Sequence, residues 1–185
     1  MKKLLYTLFA VSIIFSACEE EDSALANTNN NNSSLAIGDM YQGGIIFYLD
    51  ENGGGLIAAR SDQGQAEWGC YEAEFSGANG TEIGTGNQNT IDIINANCSP
   101  YSGGNSIAAN ICANLTLEGY SDWFLPSKDG LTEMYLNKDL IGGFADRFYW
   151  SSSRSGNYAF GRGFDGSYDW EINYQLYYVR AIRSF

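Results

Sequence analysis

Cysteine and the acidic side chains carry whatever reactive chemistry this chain has, because it contains no histidine. Without imidazole there is no Ser-His-Asp or Cys-His nucleophile and no His-ligated zinc. The four cysteines divide into Cys18 and a set at Cys70, Cys98 and Cys112. Their spacing gives no CxxC, which argues against zinc-ribbon or thioredoxin chemistry. Three cysteines allow one bridge and one free thiol. Cys112 falls on an apolar helical face, where a free cysteine behaves as a small hydrophobe. Cys70 and Cys98 lie in an irregular stretch that most needs a cross-link. Cys70–Cys98 is therefore the expected disulfide, with Cys98–Cys112 the alternative. The acids of Asp165-Gly166-Ser167-Tyr168-Asp169-Trp170-Glu171 could assist metal-dependent hydrolysis, but a polar hairpin turn explains them more simply. Asp50-Glu51-Asn52 lacks the alternating oxygen ligands and twelfth-position Glu of a calcium loop. No cofactor is expected, and structural calcium is not indicated. Gly84 to Thr90 lacks the terminal Gly-Lys-Ser/Thr of a phosphate loop.

A second chemistry is recognition. From Ser151 to Tyr178 the sequence is Tyr, Ser, Gly, Asn, Asp and Arg around a few other aromatics. Antibody paratopes use the same mixture, with rigid Tyr and Trp for area and small polar residues for adaptable hydrogen bonds. Tyr158, Tyr168, Trp170, Tyr174 and Tyr177 are candidates to stack on sugar rings or fill a protein partner's pockets. Arg154, Asn157, Arg162 and Asn173 are candidates for the polar contacts. Phe160, Phe164, Val179 and Ile182 are assigned to the core. Taken singly, each tyrosine is more simply an ordinary strand aromatic; the cluster favours binding.

These residues must be positioned by a domain of ordinary size. The chain has 185 residues, 44% of them hydrophobic, and a net charge of −12. That composition fills a core, and that charge repels nucleic-acid phosphates. Gly44 to Leu49 and Leu56 to Ala59 flank a Gly/Asn/Asp cluster and read as a β-hairpin. Residues 61–104 show no clear period and read as structured loop. Asn105 to Leu115 places Ile107, Ala108, Ile111, Cys112 and Leu115 on one helical face. A second helix is expected after Ser127 as N-cap, with Leu131, Met134 and Tyr135 inward. Gly130 stands where a Glu would complete a capping box. Strands are expected at 148–152, 158–164, 170–175 and 176–185.

The first eighteen residues read as an address. Lys2 and Lys3 precede a twelve-residue apolar run from Leu4 to Phe15, too short to span a hydrocarbon core of about 30 Å. Phe15-Ser16-Ala17-Cys18 resembles a bacterial lipobox, in which Cys18 is lipidated after removal of residues 1–17. Losing Lys2 and Lys3 takes the net charge from −12 to −14. Glu19-Glu20-Glu21-Asp22 resembles the surface-export signal of Bacteroidota lipoproteins. Residues 18–36, acidic and then Asn-rich, read as a flexible tether before a domain at 37–185. The expected location is the outer membrane, lipid-anchored and facing outward.

Five strings, in order, resemble one bacterial family. They are Gly43-Gly44-Ile45-Ile46-Phe47-Tyr48-Leu49, Ile83-Gly84-Thr85-Gly86, Asp122-Trp123-Phe124-Leu125-Pro126-Ser127-Lys128-Asp129, Tyr149-Trp150-Ser151-Ser152 and Val179-Arg180-Ala181-Ile182-Arg183-Ser184-Phe185. The family is that of the C-terminal domain of the Legionella collagen-like adhesin. The resemblance implies an α+β, C-type-lectin-like fold: a small, twisted, mostly antiparallel sheet, two helices and long loops on one side. It also implies a non-catalytic adhesin role toward an extracellular glycan or protein. Its best-understood member binds sulfated polysaccharides, but here Asp165, Asp169 and Glu171 offset the arginines. Three alternatives differ in class: a variable protein of a diversity-generating retroelement, a structural envelope or fimbrial subunit, and an enzyme related to formylglycine-generating proteins. For the enzyme, Trp123, Leu125, Pro126 and Ser127 resemble the family's Trp-Arg-Leu-Pro-Thr string, but its paired C-terminal cysteines are missing.

Overall fold

Strands β1 (Met40–Tyr41), β2 (Gly44–Leu49) and β3 (Gly55–Ala59) are antiparallel neighbours in the computed structural model, which describes residues 34–185. Cys18, the leader and the tether through Ser33 lie outside the described residues, as do the side chains of Tyr168–Ile172. The β2–β3 hairpin forms where the sequence predicts it. Asp50 closes the turn, its Oδ1 accepting from the backbone N–H of Asn52 at 2.7 Å and of Gly54 at 2.9 Å. Strand β9 (Ile182–Ser184) adds to β3, giving the order β1-β2-β3-β9. The last strand of the chain is thus held by its first hairpin.

A second sheet contains β4 (Gln65–Ala66), β5 (Phe148–Ser155), β6 (Tyr158–Gly163), β7 (Tyr168–Ile172) and β8 (Tyr177–Tyr178), in the order β4-β8-β5-β6-β7. Its pairs are antiparallel except β5 with β8, which is parallel at Tyr149 and Tyr178. The molecule is α+β with two sheets, where one small sheet is expected from the sequence. The difference arises at Val179–Ala181, where the predicted final strand breaks. There the Val179 N–H bonds to the Gly64 carbonyl, and Arg180 turns inward to Asp62 at 2.7 Å. The two halves of that segment consequently enter different sheets.

Among the described residues there are four short helices, not two: α1 (Gly86–Asn95), α2 (Ala108–Ala113), α3 (Lys128–Leu136) and α4 (Lys138–Ile141). Helix α3 starts as expected, with Ser127 Oγ accepting from the Gly130 N–H at 3.2 Å and with Leu131 and Met134 buried. Helix α2 is shorter than its pattern, because Ile107 is still extended where the sequence predicts helix. Helix α1 lies inside the stretch read as loop. Its buried residues are Gly86, Asn89, Thr90 and Ile93, a helical period carried mostly by small and polar side chains. A hydrophobic pattern search passes over such a helix.

Polar contacts hold α1 in place. Asn89 Nδ2 donates to the Gly80 carbonyl at 2.7 Å, and Ser153 Oγ donates to the same carbonyl at 2.6 Å. Thr90 Oγ1 accepts from the Leu125 N–H at 3.1 Å. Gly86 lies so close to the α3 entry that an added Cβ would sit 2.5 Å from the Leu125 carbonyl oxygen. Gly86→Ala is therefore expected to lower stability by about 1–3 kcal/mol despite alanine's better helix propensity. Urea unfolding checks this, and an unchanged midpoint would contradict it.

Two apolar clusters form the core. One surrounds Trp68, Trp150, Ile93, Ile107 and Cys112; the other surrounds Phe47, Met134, Tyr149, Phe164 and Ile182. Phe160, Phe164, Val179 and Ile182 are all buried, as assigned. At one margin Arg183 forks onto Asp122, Nε to Oδ1 and Nη2 to Oδ2, each at 2.8 Å. That hydrogen bonding holds the Asp122 carboxyl below its ordinary value. A lowered carboxylate stabilises the fold above its unfolded pKa of about 3.9 and loses that contribution as pH falls through its lower folded value. Asp122→Asn should therefore lower stability at neutral pH and flatten the loss on acidification below pH of about 4, so that the two chains converge at low pH. Thermal melts across pH 2–7 check this; parallel profiles for the two chains would contradict it.

Candidate functional site

Three tyrosines from three separated segments meet beside the disulfide. Tyr71 and Tyr101 have ring centroids 4.8 Å apart, Tyr71 and Tyr174 5.2 Å, and Tyr101 and Tyr174 5.6 Å. Tyr101 is 66% exposed, and the other two are half-buried beneath it. The expected bridge between Cys70 and Cys98 is present. It ties the loop bearing Tyr71 to the loop bearing Tyr101. Cys112 is the free thiol, buried as expected, and burial pushes it well above the usual thiol range.

The support under the triad is polar and specific. Glu67 is buried, and its carboxylate accepts from the backbone N–H groups of Tyr101 at 2.6 Å and Ser102 at 3.0 Å. Asn173 Nδ2 donates to the Cys70 carbonyl at 3.0 Å, while the Asn173 carbonyl accepts from the Gly69 N–H at 3.2 Å. A turn closes from the Ala73 N–H to the Cys70 carbonyl at 3.1 Å. In that turn Cys70 (φ 59) and Glu72 (φ 54) are left-handed on either side of Tyr71. A non-glycine residue in this region costs about 1–2 kcal/mol. Such strain persists only where the surroundings over-determine it, as the disulfide and Asn173 do here. A side-chain hydrogen bond with Glu72 raises the Tyr71 phenol above its ordinary value.

The residues assigned to binding from the sequence separate into groups. Tyr174 belongs to the triad. Asn157 and Tyr158 are exposed at the β5–β6 hairpin. Tyr177 is half-buried against Trp150, at 4.3 Å between centroids, and Phe148, at 5.0 Å. Arg154 is half-buried with its guanidinium 4.1 Å over the Phe75 ring, and desolvation lowers its pKa. Tyr168 and Trp170 sit on β7, with side chains outside the described residues.

Two assignments are corrected. Arg162 is 6% exposed, because α3 covers that face of β6 and places the Tyr135 ring 4.1 Å from its guanidinium. Asn173 is 3% exposed and latches the disulfide turn from beneath. Neither presents a surface to a ligand; Asn173 acts by positioning. Tyr71 and Tyr101, by contrast, were not among the sequence candidates. Their signal was proximity to the bridged cysteines, one residue beyond Cys70 and three beyond Cys98.

The arrangement presents aromatic surface beside a cross-linked turn. Among the described residues no group of three or more His, Cys, Asp or Glu side chains is placed to hold a metal ion. No protein-family model matches the chain, and the comparison with curated proteins finds no match.

Proposed function

We propose that this chain is a non-catalytic binding protein, lipid-anchored through Cys18 at the outer surface. Its Tyr71–Tyr101–Tyr174 face takes an extracellular glycan or protein ligand. The observation that carries the reading is the meeting of three tyrosines, one of them on a strained, cross-linked turn. Exposed aromatic area is costly to leave in water, and rigid Tyr clusters lose little entropy on binding. Asn157 and Tyr158 are exposed at the β5–β6 hairpin, where Tyr158 pairs with Ile172, two residues before Tyr174. The lipobox-like leader supports the anchor. The ordered family strings support a C-type-lectin-like domain of the Legionella collagen-like adhesin type. Pairing of β9 with the first hairpin and a long loop region bearing the site are consistent with that fold.

The test is a glycan-array and matrix-protein binding screen of the chain beside a Tyr71→Ala/Tyr101→Ala/Tyr174→Ala variant, with circular dichroism on both. The expected result is a ligand whose binding the folded variant loses by at least about 100-fold, since each buried aromatic anchor contributes about 1–2 kcal/mol or more. A ligand bound equally by both chains would move the site elsewhere.

A further inference from the structure

We infer that the ligand of the tyrosine face is a lysine- or arginine-bearing segment of another protein. This rests on the binding reading above and names its ligand class. From Ser61 to Ser127 the sequence has eight Asp and Glu residues and no Lys or Arg. Four of the eight are engaged: Asp62 with Arg180, Asp122 with Arg183, Glu67 with the Tyr101 loop, and Asp92 with the Ala78 N–H. Glu72, Glu74, Glu82 and Glu118 remain exposed. Glu72 and Glu74 follow Tyr71 at one and three residues, both exposed. The rim of the triad is thus anionic, which disfavours sulfated or phosphorylated ligands and attracts cations.

The rings themselves take cations on their faces. Inside this fold, arginine repeatedly stacks on aromatics, with Arg180 4.0 Å from Phe144, Arg183 4.0 Å from Tyr120 and Arg154 4.1 Å from Phe75. Among the described residues no Lys or Arg stacks on Tyr71, Tyr101 or Tyr174. The triad therefore leaves its ring faces open to a cation from a partner. Leu176, two residues beyond Tyr174, is 61% exposed.

The purified chain would be titrated with three probes: a blocked peptide of four lysines and arginines between leucines, chitotetraose, and a heparin tetrasaccharide. A peptide with every basic residue changed to Gln is the control. Expected is binding of the basic peptide alone, weakened at least about tenfold by Glu72→Gln/Glu74→Gln. Tyr101→Ala, which leaves the charge unchanged, should weaken it similarly. Glu82→Gln/Glu118→Gln, the same charge change elsewhere, should alter it less than about twofold. Equal losses from the two glutamate pairs, or none from Tyr101→Ala, would overturn the inference. Binding of either oligosaccharide at the triad in place of the peptide would overturn it and leave the binding reading intact. Silence from all three probes, together with an empty array screen, would overturn both.

Discussion

Arg180→Ala is expected to lower stability by about 3–5 kcal/mol, the usual cost of removing one partner of a buried ion pair. The Arg180 side chain is fully buried, and its Nε lies 2.7 Å from Asp62 Oδ1. Its Nη1 donates to the carbonyls of Ala59 at 2.9 Å and Gly142 at 3.3 Å, and its Nη2 to that of Gly143. Phe144 covers the guanidinium plane. Truncation strands the Asp62 carboxylate, which would keep only the Tyr149 hydroxyl among these donors, at 2.8 Å. It also strands three carbonyls, one at the end of β3 and two in the loop after α4. Lysine offers one ammonium where a planar fork is needed, so Arg180→Lys should recover little of the loss. Urea denaturation checks both variants, and a loss under 1 kcal/mol for Arg180→Ala would contradict this account of how the two sheets are joined.

Cys70→Ser/Cys98→Ser should cost about 3–4 kcal/mol, the chain-entropy value for opening a loop of this span. Its 28-residue separation covers most of the irregular region and all of α1. Binding should fall further than stability does. The strained turn at Cys70 and Glu72 persists because the bridge and Asn173 enforce it. Without the bridge the turn can relax and carry Tyr71 away from Tyr101. The discriminating comparison is made at a temperature where the double variant is fully folded by circular dichroism. Loss of ligand binding there is expected. Intact binding would mean that the bridge stabilises the fold without shaping the site.

The parts of this fold that were legible in the sequence are those where local chemistry and tertiary demand agree. The β2–β3 turn is written in Asp50 and three glycines, and the α3 start in Pro126-Ser127. For the disulfide, the sequence favours Cys70–Cys98 and leaves Cys98–Cys112 open, and the structure shows the first. Helix α1 was hidden because Asn89 and Thr90 face inward to satisfy backbone groups of neighbouring loops, not to bury apolar area. The site was half legible for a related reason. Composition marks Tyr174 as a binding residue, but only the three-dimensional closure of the Cys70–Cys98 loop brings Tyr71 and Tyr101 to it. Arg162 and Asn173 look like contact residues in a polar, aromatic string. Yet one faces α3 and the other the disulfide turn.

The central claim is that ligand is taken at the tyrosine face, and amide hydrogen exchange with and without a bound ligand from the screen tests it most directly. Protection concentrated in 70–76, 98–104 and 173–176 is the predicted result. Protection confined to other segments, with the triad segments unchanged, would contradict it.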